Sequence, residues 1–425
     1  MRGHGIVGRG APGTRPGAGR KRATLRVVGA AIFVVAGSPT EQQGPVASLL
    51  STAGWAGAGA RVVGQSWVVT PAGVMSPAEA RRRGSDPGLH SPDRTSLRRV
   101  APGLLKTAVK DLRQWRRRGR FRIDPGGPWA ETDVVFVWQR HELFQRAGLR
   151  LASHLGVPSV LFVPATVVWE AEHWGIKRPG WERWLEAHGE APALRAADVV
   201  ACGTPEVAEQ ARRLGVSEAR LLITSTGVDL EVFDQWSDPE RLRGQLGLRD
   251  RFVVGWSGSF RRFHALEQAV EAVAHLDGAT LLLVGDGPER ARIEQLARNR
   301  QVPIVCTGTV PQSELPAYLR AMDAALVLAP EGVPFHYSPL KLAEYLAAAV
   351  PVVAPAVGQL SGRLTDGVDA LLVPPHDTPA LVAALQRLQR DADERARIGR
   401  AGHQVASATW SWDQQVRRVL AALPR

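Results

Sequence analysis

Cysteine and lysine are nearly missing from this chain. Its 425 residues include two cysteines, Cys202 and Cys306, which lie far apart and match no metal-ligand spacing. That excludes a disulfide scaffold and a cysteine-built zinc site, and the thiols are expected to be reduced, in the cytoplasm. Lysine supplies only five of the 53 basic residues: Lys21, Lys106, Lys110, Lys177 and Lys341. The rest are arginines in a background of Ala, Gly and Val, so much of the +12 formal charge reads as the codon bias of a GC-rich bacterial coding sequence. A net charge alone admits nucleic acid, a membrane surface or an anionic substrate. The basic residues are scattered rather than interleaved with aromatics along one patch, so nucleic acid is not expected as a partner. Also lacking is an apolar run long enough to span a bilayer; the candidate "RVVGAAIFVVAG" is too short. It follows a Gly-, Arg- and Pro-rich leader at 1–25, expected to be disordered, and no Ala-x-Ala-like site follows it. It is therefore expected to be a buried first strand.

Short β-branched runs alternate with amphipathic stretches in two successive blocks. The first has "AAIFVVAG", a helical "GPVASLLSTAGWAG", a strand "ARVVGQSWVV", then "DVVFVW", "PSVLFVP", "DVVACG" and "ARLLITST" with helices between them. The second has "FVVGWSG", "ATLLLVGDG", "VPIVCTG", "AALVLAP", "PVVAP" and "DALLVPP", then a long helix "TPALVAALQRLQRDADERARIGRAGHQVA". Continuous apolar strands separated by helices predict parallel sheets covered on both faces. The fold class expected is α/β: two doubly wound, Rossmann-like parallel-sheet domains, with ligands bound between them outside the strand C-termini. The domains are expected at 26–235 and 251–405, with a linker at 236–250.

One segment interrupts the rhythm. "GLLKTAVKDLRQWRRRGR" can place Leu105, Val109, Leu112 and Trp115 on one face of a helix over 104–120, with Lys106, Lys110, Arg113, Arg116 and Arg117 around the rest. This is the pattern of a membrane-surface helix. It is equally the pattern of an ordinary domain helix with a solvated basic side, which is the expectation taken forward.

The residues that carry chemistry lie in the second block. In "SPLKLAEYLAAAVPVVAP", Ser338 is an N-cap and Pro339 suits the first helical position. Lys341 then stands near the positive end of the helix dipole, which is unfavourable unless an anion such as a phosphate rests there; the alternative is a solvated lysine reaching past the turn. Glu344, three residues on, shares its face and suits the vicinal hydroxyls of a ribose, unless the two form only an exposed ion pair. The first strand of this block ends "GWSGSFRRFHALEQ". Gly255 and Gly258 permit close backbone approach to a ligand, and Arg261, Arg262 and His264 follow at once. "LLLVGDGPER" lacks the full G-x-G-x-x-G, so a nicotinamide site is disfavoured. A phosphate clamp with a hydroxyl acceptor fits a sugar nucleotide. Trp169, Trp174, Trp181 and Trp184 crowd one stretch and form either a stacking platform or core packing.

These motifs in this order, with "HELFQRAGLRLASHLGVPSVL", "TSTGVDLEVF", "DGVDALLVPPHD" and a terminal "ATWSWDQQVRRVL", resemble the retaining glycosyltransferases of family 4, which have the GT-B fold. The resemblance implies transfer of a sugar from a nucleotide-diphosphate sugar to a small-molecule, glycan or lipid-linked acceptor, with retention, no metal and no further cofactor. It implies a cytoplasmic enzyme, peripheral at the inner membrane face if the basic helix touches lipid. It implies a last helix, 406–425, that returns to the first domain. The donor set it implies is Gly258, Ser259, Arg261, His264, His336, Ser338, Lys341, Leu342 and Glu344. Lys341 and Glu344 match the phosphate and ribose residues of the Glu-x7-Glu motif, and Arg261 substitutes for cations that by spacing fall at Ser259 and His264. On the acceptor side, "VWQRHELF" offers His141, either facing the cleft or as a surface histidine. The chain departs from the family pattern where His336 replaces the first motif acid and Thr226 replaces an Asn. Two other readings keep the fold: a sugar-nucleotide 2-epimerase, and a non-catalytic partner protein.

Overall fold

The computed structural model describes residues 1, 29–37, 44–85, 103–173, 175–235, 238–329, 340–358 and 360–424. The leader expected at 1–25 lies outside them apart from its first residue, as do His336, Ser338 and Trp174.

Two parallel sheets organise the chain. The first contains β1 (Gly29–Val34), β2 (Gly64–Thr70), β3 (Gly73–Met75), β4 (Val134–Arg140), β5 (Ser159–Val163), β6 (Val199–Cys202) and β7 (Leu221–Ile223), in the order β3-β2-β1-β4-β5-β6-β7. Only β3 runs antiparallel, as a hairpin on β2. The second contains β8 (Phe252–Ser257), β9 (Ala279–Val284), β10 (Ile304–Cys306), β11 (Ala324–Leu326), β12 (Val352–Pro355) and β13 (Leu371–Val373), in the order β10-β9-β8-β11-β12-β13. Strand β1 sits mid-sheet and is buried from Ala30 to Val34, so the first apolar run is a strand, as its composition predicts. Helices cover both faces of each sheet, which is why the strands read as continuous apolar runs.

In each sheet the order reverses once, between β1 and β4 and between β8 and β11. Ligands in such sheets bind outside the strand C-termini at that reversal, because the flanking loops diverge there and leave a crevice. This places two candidate sites before any side chain is considered.

Three local expectations need correction. The helix Gly44–Val63 runs 20 residues and absorbs "ARVV", read from sequence as the start of a strand. It stops at Gly64, whose φ of 131° only glycine adopts readily and whose Cβ would lie 2.9 Å from the Gly29 carbonyl oxygen. The long helix read after β13 is two, Thr378–Arg390 and Ala392–Val405. Asp391 breaks it by turning extended and accepting from the Glu394 N–H at 2.8 Å, an N-cap that outcompetes helix continuation. The expected linker is itself largely helical, with Pro239–Leu246 capped by Asp238.

The basic helix spans Gly103–Arg116. It does not bury its leucines. Its inward residue is Asp111, 4% exposed, which accepts from Arg178 Nε at 2.7 Å and from the Trp181 indole N–H at 3.0 Å. Leu104, Leu105, Val109 and Leu112 face outward. The ordinary domain helix expected from the sequence is thus inverted. Among the described residues, no helix is long and apolar enough to cross a membrane.

The last helix, Trp412–Ala422, packs on Gly44–Val63 of the first sheet's layer. Trp412 lies 5.6 Å from Trp55 and fills a notch between Gly54 and Gly227, where any Cβ would clash with its ring.

Candidate functional site

The reversal point of the second sheet brings together the end of β8, the turn after it, and the start of the helix Leu340–Ala347. Gly258 leaves β8 with φ 141°, and the space over its Cα is closed by the Trp256 ring and the Lys341 ammonium, 3.0 and 3.5 Å from a built Cβ. Tyr345 ties helix to strand: its buried hydroxyl accepts the Ser257 N–H at 2.7 Å. The Gly-Asp-Gly turn after β9 is the buttress of this one. Gly258 N–H donates to the Val284 carbonyl at 2.9 Å, Phe260 N–H to the Asp286 carbonyl at 3.0 Å, and Glu289 N–H to the Phe260 carbonyl at 3.0 Å. Gly285 has φ 129°, and a Cβ there would fall 2.0 Å from the Gly258 carbonyl oxygen.

Lys341 lies 4.1 Å over the Trp256 ring and 3.3 Å from His264 Nδ1. His264 stands edge-on to Trp256 with ring centroids 5.1 Å apart. Burial, then the charges of Lys341 and Arg261, push the imidazole down to about 2, so it is neutral and accepts from the ammonium. Burial pushes Lys341 itself down to about 7, with Glu344 acting weakly the other way. Among the described residues the ammonium pairs with no carboxylate: a neutral ring nitrogen and an aromatic face are what it touches. Glu344 is 8% exposed and accepts from Gln312 Nε2 at 3.2 Å; burial pushes its carboxyl up to about 7 against that hydrogen bond and Lys341. The alternative of an exposed Lys341–Glu344 ion pair is thus excluded, since no such pair forms and Glu344 is buried.

Of the other donor residues read from sequence, Gly258 and Ser259 are exposed and Arg261 is half-buried in the turn before His264. Leu342 is 1% exposed and its side chain is part of the core, which leaves its backbone amide, one of the first in the helix, for any ligand. Trp256, Tyr345 and Gln312 were not found from sequence. Only Trp256 left a signal, an aromatic two residues before a strand-ending glycine.

The reversal point of the first sheet opens into a cavity of about 580 Å³. Ala36 and Gly37 after β1, Glu142 and Leu143 after β4, Gln114 of the basic helix and Arg117 just past it line it, with Arg120 and Arg122 beyond. Gly37 N–H donates to Glu142 Oε1 at 3.1 Å, and burial raises the Glu142 carboxyl above its usual range. His141 is not a surface histidine. Its side chain is fully buried, with Nε2 3.2 Å from Glu190 Oε1 and Nδ1 without a hydrogen-bond partner. The tryptophans do not form one platform: Trp169 packs on His173, Trp181 donates to Asp111, and Trp184 meets Trp115 at 6.4 Å.

Residues 251–391 match the family model for glycosyl transferases group 1. The chain is 32% identical to a D-inositol 3-phosphate glycosyltransferase of Mycobacterium marinum over 256 residues, 57% of this chain and 53% of that protein. It is 25% identical to the alpha-D-kanosaminyltransferase of Streptomyces kanamyceticus over 317 residues, 67% of this chain and 80% of that protein. The chain spans between 53% and 58% of the lengths of the inositol 3-phosphate glycosyltransferases it matches first. Among solved structures it superposes on Anabaena HepE in complex with UDP, with a TM-score of 0.62 at 17% identity over 93% of this chain and 100% of that one. It also superposes on the sucrose-phosphate synthase of Thermosynechococcus elongatus, with a TM-score of 0.60 at 22% identity over the same shares. The likeness to group 1 glycosyltransferases thus lies in residues 251–391, and the two sheets have the GT-B fold.

Proposed function

We propose that the protein transfers a sugar from a nucleotide-diphosphate sugar to an acceptor hydroxyl, with retention at the anomeric carbon and without a metal, in the cytoplasm. One observation carries the reading: Lys341, held on an aromatic face and a neutral imidazole with no carboxylate partner among the described residues, stands at the reversal point of a sheet in the segment that matches the group 1 family. A lone cation in that setting is a site for an anion. The HepE structure holds UDP and the kanosaminyltransferase is named for an aminosugar, which support a nucleotide sugar as donor. Free Cys202 and Cys306 support a reducing compartment.

In this reading the diphosphate lies against Gly258, Ser259 and Lys341, with Arg261 beside it and Glu344 on the ribose. The acceptor occupies the cavity of the first sheet. Its hydroxyl attacks the anomeric carbon, the bond to the diphosphate breaks, the electron pair leaves on the phosphate oxygen, and that oxygen takes the hydroxyl proton. Lys341 and the helix N-terminal amides stabilise the charge as it develops, the task a metal has in other enzymes. His141, fully buried on Glu190 and absent from the cavity wall, is assigned a positioning role beside Glu142 and does not touch the acceptor.

The test is calorimetric titration with UDP, GDP, ADP and dTDP, and with their sugars, on the full chain and Lys341→Ala. One nucleoside diphosphate is expected to bind, and the substitution to weaken it by about tenfold to a hundredfold, the loss of one charge-assisted hydrogen bond. Equal affinity in the variant, or no binding of any of the four, would overturn the proposal. Isomerisation of the sugar nucleotide with no acceptor present would assign the fold to an epimerase instead.

A further inference from the structure

The basic helix Gly103–Arg116 is amphipathic in the wrong sense for a soluble domain. At about 100° per residue, Leu105, Val109 and Leu112 fall within an arc of about 60°. They are 55%, 39% and 45% exposed; Leu104, at the helix start and off this arc, is 50% exposed. Asp111, about 130° from the centre of that arc, is what the fold buries. Arg178 and Trp181 hold its carboxylate, and that ion pair is itself 5% exposed on both sides, so the helix is fastened by its polar residue with its leucines outward. Lys106, Lys110 and Arg113 run along one flank of the apolar arc and Arg116 ends the arc itself one turn past Leu112, all exposed.

The apolar surface does not end with the helix. Among the described residues ten large apolar side chains are exposed, four of them on this helix. Ile176 and Trp184 belong to the segment that holds it: Ile176 is two residues from Arg178, and Trp184 meets Trp115. An exposed apolar cluster flanked on its helix by four exposed cations suits a surface that is apolar within and anionic at its rim.

We infer that this helix docks the protein on an anionic lipid bilayer, its leucine face in the headgroup–acyl boundary and its Lys and Arg flank on the lipid phosphates. The charge pattern selects this occupant. A second copy would meet the same cations with cations, and a neutral partner would leave them unused. The proposal does not depend on the transfer reading, but it gives that reading a geometry. Gln114, on the side of the helix away from its leucines, and Arg117, just past its end, line the cavity of the first sheet, so docking would hold that cavity within a helix diameter of the membrane surface.

The test is co-sedimentation of the full chain with vesicles of phosphatidylcholine alone and of phosphatidylcholine with about a third phosphatidylglycerol, at low and high salt. Binding is expected to the anionic vesicles only and to weaken with salt. Lys106→Gln, Lys110→Gln, Arg113→Gln and Arg116→Gln together are expected to weaken it by at least about tenfold. Leu105→Ser, Val109→Ser and Leu112→Ser together are expected to abolish it at an unchanged melting temperature, because those side chains are already in water. No binding, or binding unaffected by either set, would overturn the inference. A lowered melting temperature in the serine variant would mean that the protein itself covers the face, and would overturn it as well. A dimer that this variant dissolves would mean that a second copy covers it.

Discussion

Lys341 shows how far a single residue can be read before its surroundings are known. Its position three residues into a Ser-Pro-initiated helix points to an anion, because a cation there opposes the helix dipole. What it touches is another matter. Trp256 is 85 positions away, His264 is 77 away, and Tyr345 acts on Ser257 across 88, contacts that no local pattern encodes. The consequence is a proton linkage. Burial lowers the folded pKa of Lys341 from 10.5 to about 7, so above neutral pH the ammonium is largely deprotonated. A diphosphate binds the charged form, so binding must restore the proton, and affinity falls as pH rises from 7 towards 10.5. Titration of the full chain at pH 8 in two buffers of different ionisation enthalpy is expected to show uptake of roughly one proton per diphosphate bound. Lys341→Arg, permanently charged, is expected to show none. Zero uptake in the unaltered protein would remove the lysine from the site.

At the scale of the element, the two glycine turns have to be taken together. Read alone, Gly-Asp-Gly after β9 belongs to any parallel α/β protein, and G-x-G-x-x-G logic only excludes a nicotinamide. In the fold it interlocks with the turn after β8 through three backbone hydrogen bonds, and Gly285 is a glycine because the Gly258 carbonyl occupies the place of its Cβ. Gly285→Ala is expected to cost about 2–3 kcal/mol, the sum of backbone strain and displacement of the donor turn. Urea denaturation should show a lower midpoint at an unchanged slope, and an unchanged midpoint would contradict the interlock. Element types were well marked, since apolar strands and capped helices are local properties. Boundaries were not: the helix through Val63 and the break at Asp391 were settled by Gly64 and by a carboxylate choosing a backbone amide. The basic helix is the clearest case. Its periodicity located the apolar stripe correctly, yet which side faced inward was decided by Arg178, 67 residues away.

At the scale of the whole molecule, the C-terminal helix fastens to the layer that precedes β2. Trp412 packs with Trp55 in the notch over Gly54 and Gly227, Asp413 pairs with Arg61 at 2.6 Å, and Gln415 accepts from Thr224 at 2.7 Å. Trp412→Ala removes a large buried side chain from a notch walled by backbone, which has little freedom to collapse, and is expected to destabilise the protein by about 3–5 kcal/mol. A loss under about 1 kcal/mol in equilibrium denaturation would show that this helix is not integral to the fold. By itself the amino-acid order determined the α/β class, the two successive sheets, and the placing of Gly258, Lys341 and Glu344 at strand and helix ends, because strand hydrophobicity, helix capping and glycine placement act over a few neighbouring residues. Only the tertiary structure decided that Lys341 lies on an aromatic face and a neutral imidazole, that His141 is buried on Glu190, and that an acid rather than a leucine anchors the basic helix. Those outcomes depend on which distant side chains meet, and burial then sets their charges.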